Sequence, residues 1–191
     1  IIKQCERLLP NDIEFHLFAS NKSAGKTLKI NNQDVVIKEL KSENIGKYDI
    51  ALFSAGGVRS KAFAENFISQ GSYVIDNSSA FRLQEDVPLV VYGINQNEIT
   101  SSSRLIANPN CTTMGLVMAL KPLHDTFNLV SMTPVAYQAV SGSGTAAVNS
   151  LKEEEALDHT SLADYKNGYY PRPIARNVIP LAGNLLENEY S

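Results

Sequence analysis

The chain has 191 residues, 43% of them hydrophobic and 19% charged, which is enough apolar mass to bury a core and excludes extended disorder. Seventeen Lys and Arg face twenty Asp and Glu, for a formal net charge of -3 with no basic run, a balance that argues against nucleic acid or an anionic membrane as partner. No apolar run approaches the roughly 18 residues of a spanning helix and no charged-then-apolar leader opens the chain, so a soluble, cytoplasmic protein is expected.

In chain order, the spacing of Ile1, Ile2, Cys5, Leu8 and Leu9 predicts a helix already under way at the first residue and stopped by Pro10 and Asn11. The far end stops at Ser191 without a final strand, so a piece of something longer is expected. Residues 13–19 alternate and are rich in aromatic and β-branched types, which predicts a strand leaving into a polar loop over residues 20–26. Residues 35–37 read as a second, short strand. Residues 48–54 are continuously apolar at their centre, as a strand buried on both faces should be, and end in Ser54-Ala55-Gly56-Gly57 before a helix over 61–70. Another buried strand, 72–76, closes on Asn77-Ser78-Ser79. This alternation predicts an α/β fold with a doubly wound parallel sheet, whose ligands sit at the carboxyl ends of the strands, so the turns after Ala19, Ser54 and Asp76 would share one edge.

Beyond it, residues 105–107 predict a short strand, residues 108–113 a tight polar turn, and residues 114–124 a helix. A long strand over 131–140 then leads through Ser141-Gly142-Ser143-Gly144 into a helix over 145–157, and the remainder is punctuated by proline. A domain boundary is expected near Asn110, dividing residues 1–110 from 111–191.

Two cysteines, Cys5 and Cys111, are too few for a disulfide scaffold and too distant in sequence for a metal pair, so reduced thiols and no metal are expected. Cys111 follows a Pro-Asn turn and lies just before a helix, where free backbone N–H groups and the helix dipole favour a thiolate nucleophile. The alternative is a buried cysteine capping a core helix. A nucleophile wants a base, and no histidine supplies one. His124 lies thirteen residues along the same helix, roughly 20 Å away. His16 reads as a satisfied strand histidine, and His159 as a helix C-terminal charge after the acid run Glu153-Glu154-Glu155, itself a solvated face.

Gly142-Ser143-Gly144-Thr145-Ala146-Ala147 fits the spacing of a dinucleotide fingerprint, but no second parallel strand follows its helix, so it reads as a loop that lets a ligand approach closely. Ser54-Ala55-Gly56 serves either packing or the ligand edge. Lys22 and Ser23 follow the strand where doubly wound proteins meet the adenosine ribose. A cation beside a hydroxyl suits a 2′-phosphate and favours NADP over NAD, against the alternative of a solvated turn.

Six ordered blocks together resemble the aspartate-semialdehyde dehydrogenase family: residues 18–26, 51–57, 74–82 with Ser79-Ala80-Phe81-Arg82, 87–91, 106–113 with Asn108-Pro109-Asn110-Cys111, and 137–144 with Gln138. The resemblance implies an incomplete Rossmann-type domain over residues 1–110, followed by the start of an α+β catalytic and dimerisation domain over 111–191. It implies phosphate- and NADP-dependent interconversion of aspartate 4-semialdehyde and 4-phosphoaspartate, on the route to lysine, threonine, methionine and isoleucine, by a homodimer. Cys111 would be the acyl-thioester nucleophile and Gln138 would orient the substrate. Arg82 and Asn110 would hold phosphate or substrate. Lys22, Ser23, Ser54, Ala55, Gly56, Ser141 and Gly142 would bind the cofactor. The same resemblance puts a glycine-rich loop before Ile1 and a substrate arginine and acid–base histidine beyond Ser191. Lys22 stands where arginine is commoner, keeping charge but losing the planar fork. Rival readings are an N-acetylglutamyl-phosphate reductase or glyceraldehyde-phosphate dehydrogenase relative, and a non-catalytic module that kept the scaffold.

Overall fold

The computed structural model describes residues 1–10 and 12–180, in two compact units, one spanning Ile1–Ser131 and one beginning at Met132. In the first, helix α1 (Ile2–Leu8) ends at Leu9, whose extended backbone is what a following proline imposes. Its Glu6 Oε1 accepts the Asn31 N–H at 2.8 Å and so ties the helix to a hairpin. That hairpin pairs β2 (Thr27–Ile30) antiparallel with β3 (Gln33–Glu39), and β3 also pairs in parallel with β1 (Leu17–Ala19). Asn31 and Asn32 turn the corner with φ of 47° and 62°, the left-handed pair that two-residue hairpins require and asparagine tolerates.

The second sheet holds β4 (Ile50–Phe53), β5 (Tyr73–Asp76) and β6 (Leu105–Ala107), all parallel, in the order β4-β5-β6. Phe53, Asp76 and Ala107 lie across from one another in register, so the three following turns leave from one edge. Residues 88–90 run beside β6, through Val90 N–H to Ala107 O and Ala107 N–H to Pro88 O, both at 3.0 Å. Helix α2 (Gly57–Ser69) makes the crossover from β4 to β5, and its Ala64 and Phe67 enter a core with Ala51, Phe53, Val74, Phe81, Val87 and Ala107. Phe67 is the hub: its ring meets Phe53 edge-on at 5.3 Å and Phe18 of β1 at 5.8 Å. Both sheets therefore pack on one aromatic cluster, although β1 and β4 do not pair with each other.

Two expectations need correction. β4 is buried on one face only, with Ala51 and Phe53 inside and Ile50 and Leu52 at 60% and 48% exposure, because among the described residues only the α2 side of the strand is covered. Residues 131–139, expected as a strand, carry no regular structure and lie exposed. A strand is held by its ladder, and no partner strand occurs among the described residues of the second unit.

Helix α3 (Cys111–Phe127) runs three residues further at each end than its apolar spacing predicts, and buries no residue fully. The second unit has a 3₁₀ turn (Val140–Ser143), then α4 (Thr145–Glu155) and the short α5 (His159–Ala163). No helix among the described residues is long and apolar enough to cross a membrane.

Candidate functional site

The edge after β4, β5 and β6 is built around a buried carboxylate. Asp76 has no exposed surface, and its two oxygens accept the Ser60 and Ser78 hydroxyls, each at 2.6 Å. Ser78 Oγ in turn accepts the Ala80 N–H at 3.1 Å. The two hydroxyls thus satisfy polar oxygens that burial would otherwise leave without partners, and they pin the turn after β5 to the first turn of α2. In the turn between β4 and α2, Ser54, Ala55 and Gly56 lie exposed, and Gly56 has a φ of 85° with open space where a Cβ would project. Backbone can therefore come close to a ligand there.

Arg82 joins the turns after β5 and β6. Its Nε donates to Asn108 O at 2.8 Å and its Nη2 to Asn77 O at 3.3 Å. Of the five N–H groups of a guanidinium, these bonds engage two, which leaves donors for an anion. Three residues beyond Asn108, Cys111 opens α3. Asn110 is the cap: its Oδ1 accepts the Thr112 N–H at 2.9 Å and also the Thr112 hydroxyl. Cys111 is exposed and free, so it is not the buried cysteine of the alternative reading. In the turn after β1, Lys22 is exposed, while the Ser23 and Ala24 amides fold back onto Ser20 O at 2.9 and 3.1 Å.

In the second unit Gln138, Ser141 and Gly142 come together. A Cβ at Gly142 would stand 2.7 Å from Gln138 Nε2, so only glycine lets this amide lie against the turn. Gly144 ends the turn with a φ of 91° and donates to Ser141 O at 3.1 Å.

The acid run was expected to be solvated, yet Glu154 has no exposed surface. Its Oε2 accepts the Ile174 and Ala175 amides at 2.6 and 2.9 Å, and its Oε1 accepts the Ser150 hydroxyl at 3.1 Å. Ala147, Ser150 and Glu154, spaced three and four apart, form the buried stripe of α4 and were the available signal. His159, expected to close a helix, instead opens α5 behind the cap Asp158. The Ser161 amide at 2.8 Å holds the Asp158 carboxyl below its ordinary range. Glu14 engages His16 at 3.1 Å, and His16 packs 4.8 Å from the Tyr48 ring. Among the described residues no group of His, Cys, Asp and Glu could hold a metal ion.

Residues 6–102 match the model of the semialdehyde dehydrogenase NAD binding domain, and residues 120–191 match that of the semialdehyde dehydrogenase dimerisation domain. The aspartate-semialdehyde dehydrogenase of Streptomyces akiyoshiensis is 45% identical over 186 residues, covering 92% of this chain and 54% of that protein. Its counterpart in Corynebacterium glutamicum is 42% identical over 197 residues, covering 96% and 57%. The chain thus spans about half the length of the curated relatives it matches. Among solved structures, aspartate semialdehyde dehydrogenase II of Vibrio cholerae complexed with ASA superposes with a TM-score of 0.85 at 33% identity, covering 100% of this chain and 57% of that one. The NADP-bound enzyme of Candida albicans aligns with a TM-score of 0.54 at 26% identity, over 68% of this chain and 44% of that one. With one family model matching residues 6–102 and the other residues 120–191, the chain belongs to the semialdehyde dehydrogenase family.

Proposed function

We propose that the protein containing this chain catalyses the reversible, phosphate- and NADP-dependent oxidation of aspartate 4-semialdehyde to 4-phosphoaspartate. The observation that carries this reading is the exposed Cys111 at the first position of α3, three residues beyond the main-chain oxygen that Arg82 grips. Cys111 attacks the aldehyde carbon through sulfur, giving a thiohemiacetal whose oxygen takes up a proton. Loss of hydride from that carbon and of the hydroxyl proton leaves a thioester on Cys111. An oxygen of phosphate then attacks the thioester carbon, and the C–S bond breaks to release the acyl phosphate and the thiolate. Arg82 holds the anion with its remaining N–H groups, while Asn110 keeps its oxygen in the helix cap and offers its Nδ2 hydrogens. Gln138, which lies against Gly142, takes the substrate-orienting role on the strength of the family resemblance.

The residues fit a dinucleotide. Gly56 offers close backbone approach, Ser54 and Ala55 flank it, Lys22 and Ser23 suit a 2′-phosphate, and Ser141 and Gly142 form the turn for the nicotinamide. NADP, when bound, supplies the two-electron acceptor. On this reading the cofactor-binding part gives way near Asn110 to the catalytic and dimerising part, and the enzyme is a cytoplasmic homodimer serving the biosynthesis of the aspartate-derived amino acids.

The test is NADPH formation by the full-length protein given aspartate 4-semialdehyde and phosphate. Turnover that falls by about a thousandfold or more in Cys111→Ala supports the assignment. Turnover that survives the substitution removes Cys111 from the chemistry. A full-length protein without turnover favours the non-catalytic module.

A further inference from the structure

The buried Glu154 and the turn at residues 140–144 are connected by one tyrosine. Glu154 clasps the segment after α5 through the Ile174 and Ala175 amides, and Ser150 Oγ accepts the Tyr169 amide at 2.8 Å. Gly168 lies so close beneath this clasp that a Cβ there would come within 2.8 Å of Glu154 Oε1. The segment is therefore fixed to α4 on both sides of Tyr170. From it the half-buried Tyr170 donates its hydroxyl to Ser143 Oγ at 2.8 Å, while its ring meets Tyr169 edge-on at 5.0 Å.

Ser143 sits between Gly142, against which Gln138 lies, and Gly144, whose left-handed backbone starts α4. A turn with two glycines has many competing conformations, so a side-chain tether from a rigid neighbour selects one. We infer that Tyr170 is a positioning residue: through Ser143 it locks the Ser141-Gly142-Ser143-Gly144 turn in the shape that receives the nicotinamide end of the cofactor. The inference rests on the cofactor assignment made above for Ser141 and Gly142. Tyr170 touches the turn and not the reacting atoms, so its loss weakens cofactor engagement more than the chemical step.

The experiment is a double-substitution cycle in the full-length protein with Tyr170→Phe, Ser143→Ala and both together, read in two ways. Amide hydrogen exchange at Gly142 and Gly144 reports the turn without reference to activity, and steady-state kinetics report KM for NADP against kcat. Tyr170→Phe keeps the ring and its packing, so the fold survives. The expected result is an exchange rate and a KM for NADP each raised about fivefold, with kcat changed less. Ser143→Ala should give the same effect and the double variant no more, since both remove one bond. Unchanged exchange in Tyr170→Phe overturns the tether. Faster exchange with an unchanged KM for NADP overturns the positioning role while leaving the dehydrogenase reading intact. Additive effects overturn the path through Ser143. Absence of dehydrogenase activity in the unsubstituted full-length protein overturns the proposed function, and this role with it.

Discussion

Helices α2 and α3 both follow a parallel strand through a polar turn, and they reach helicity by different means. α2 buries Ser60, Ala64 and Phe67, and its Phe67 ring is the point where both sheets meet. α3 has more apolar residues, yet Met118, Leu123 and Phe127 stand 54%, 49% and 76% exposed. Local terms hold it. Asn110 caps its start, Lys121 and Asp125 pair at 2.7 Å one turn apart, and Asn128 closes it in the left-handed conformation. It also accommodates Pro122, which leaves Met118 O without its donor four residues on. Apolar composition alone thus does not locate a core; burial needs a second surface.

The largest expected effect separates the two helices directly. Phe67→Ala removes the aromatic hub and should cost about 3–5 kcal/mol in urea unfolding of this chain, whereas Phe127→Ala, at 76% exposure, should change it by about 0.5 kcal/mol or less. Equal losses would show that α3 is packed in solution. A smaller effect tests the local terms. Asn110→Ala should cost about 1 kcal/mol, and faster amide exchange at the first turn of α3 is the check. α2 has no such term to lose, since its N-cap position is Gly56 and makes no side-chain cap bond.

The smallest effect concerns pH. Bonding to Ser161 lowers the Asp158 pKa from its ordinary 3.8, so the folded state binds this proton more weakly than the unfolded one. Its contribution is fully present above pH 3.8 and is lost as the pH falls through the lower folded value. Acid titration followed by amide exchange in α5 should show this dependence, and Asp158→Asn should abolish it.

Much of the second sheet was readable from the sequence, because its parallel strands leave apolar runs such as residues 50–53 and 73–76 that end in small or polar turns. The helix next to Cys111 was legible for a similar reason, since a Pro-Asn pair before an apolar period marks a helix start, although the Asn110 cap sets that start three residues earlier than the apolar spacing does. Other features depended on partners far along the chain. The strand β2 was hidden because Thr27–Ile30 is only four residues long and its pairing with β3 rests on the Asn31-Asn32 corner. Glu154 looked solvated because its amide partners lie some twenty residues later, at Ile174 and Ala175. Residues 131–139 failed in the opposite sense, with a strand's composition but no ladder to join among the described residues.

The grip of Arg82 has a consequence for how such a sequence can drift. Both bonds end on main-chain oxygens, those of Asn77 and Asn108, and every residue type has such an oxygen. Side chains at 77 and 108 can therefore be exchanged over generations without releasing the guanidinium. Position 82 has no such latitude, since a lysine ammonium on its flexible stem lacks the planar fork that spans two carbonyls at fixed separation. The placement of the guanidinium is inherited through the shape of the backbone at two places and through the identity of one side chain.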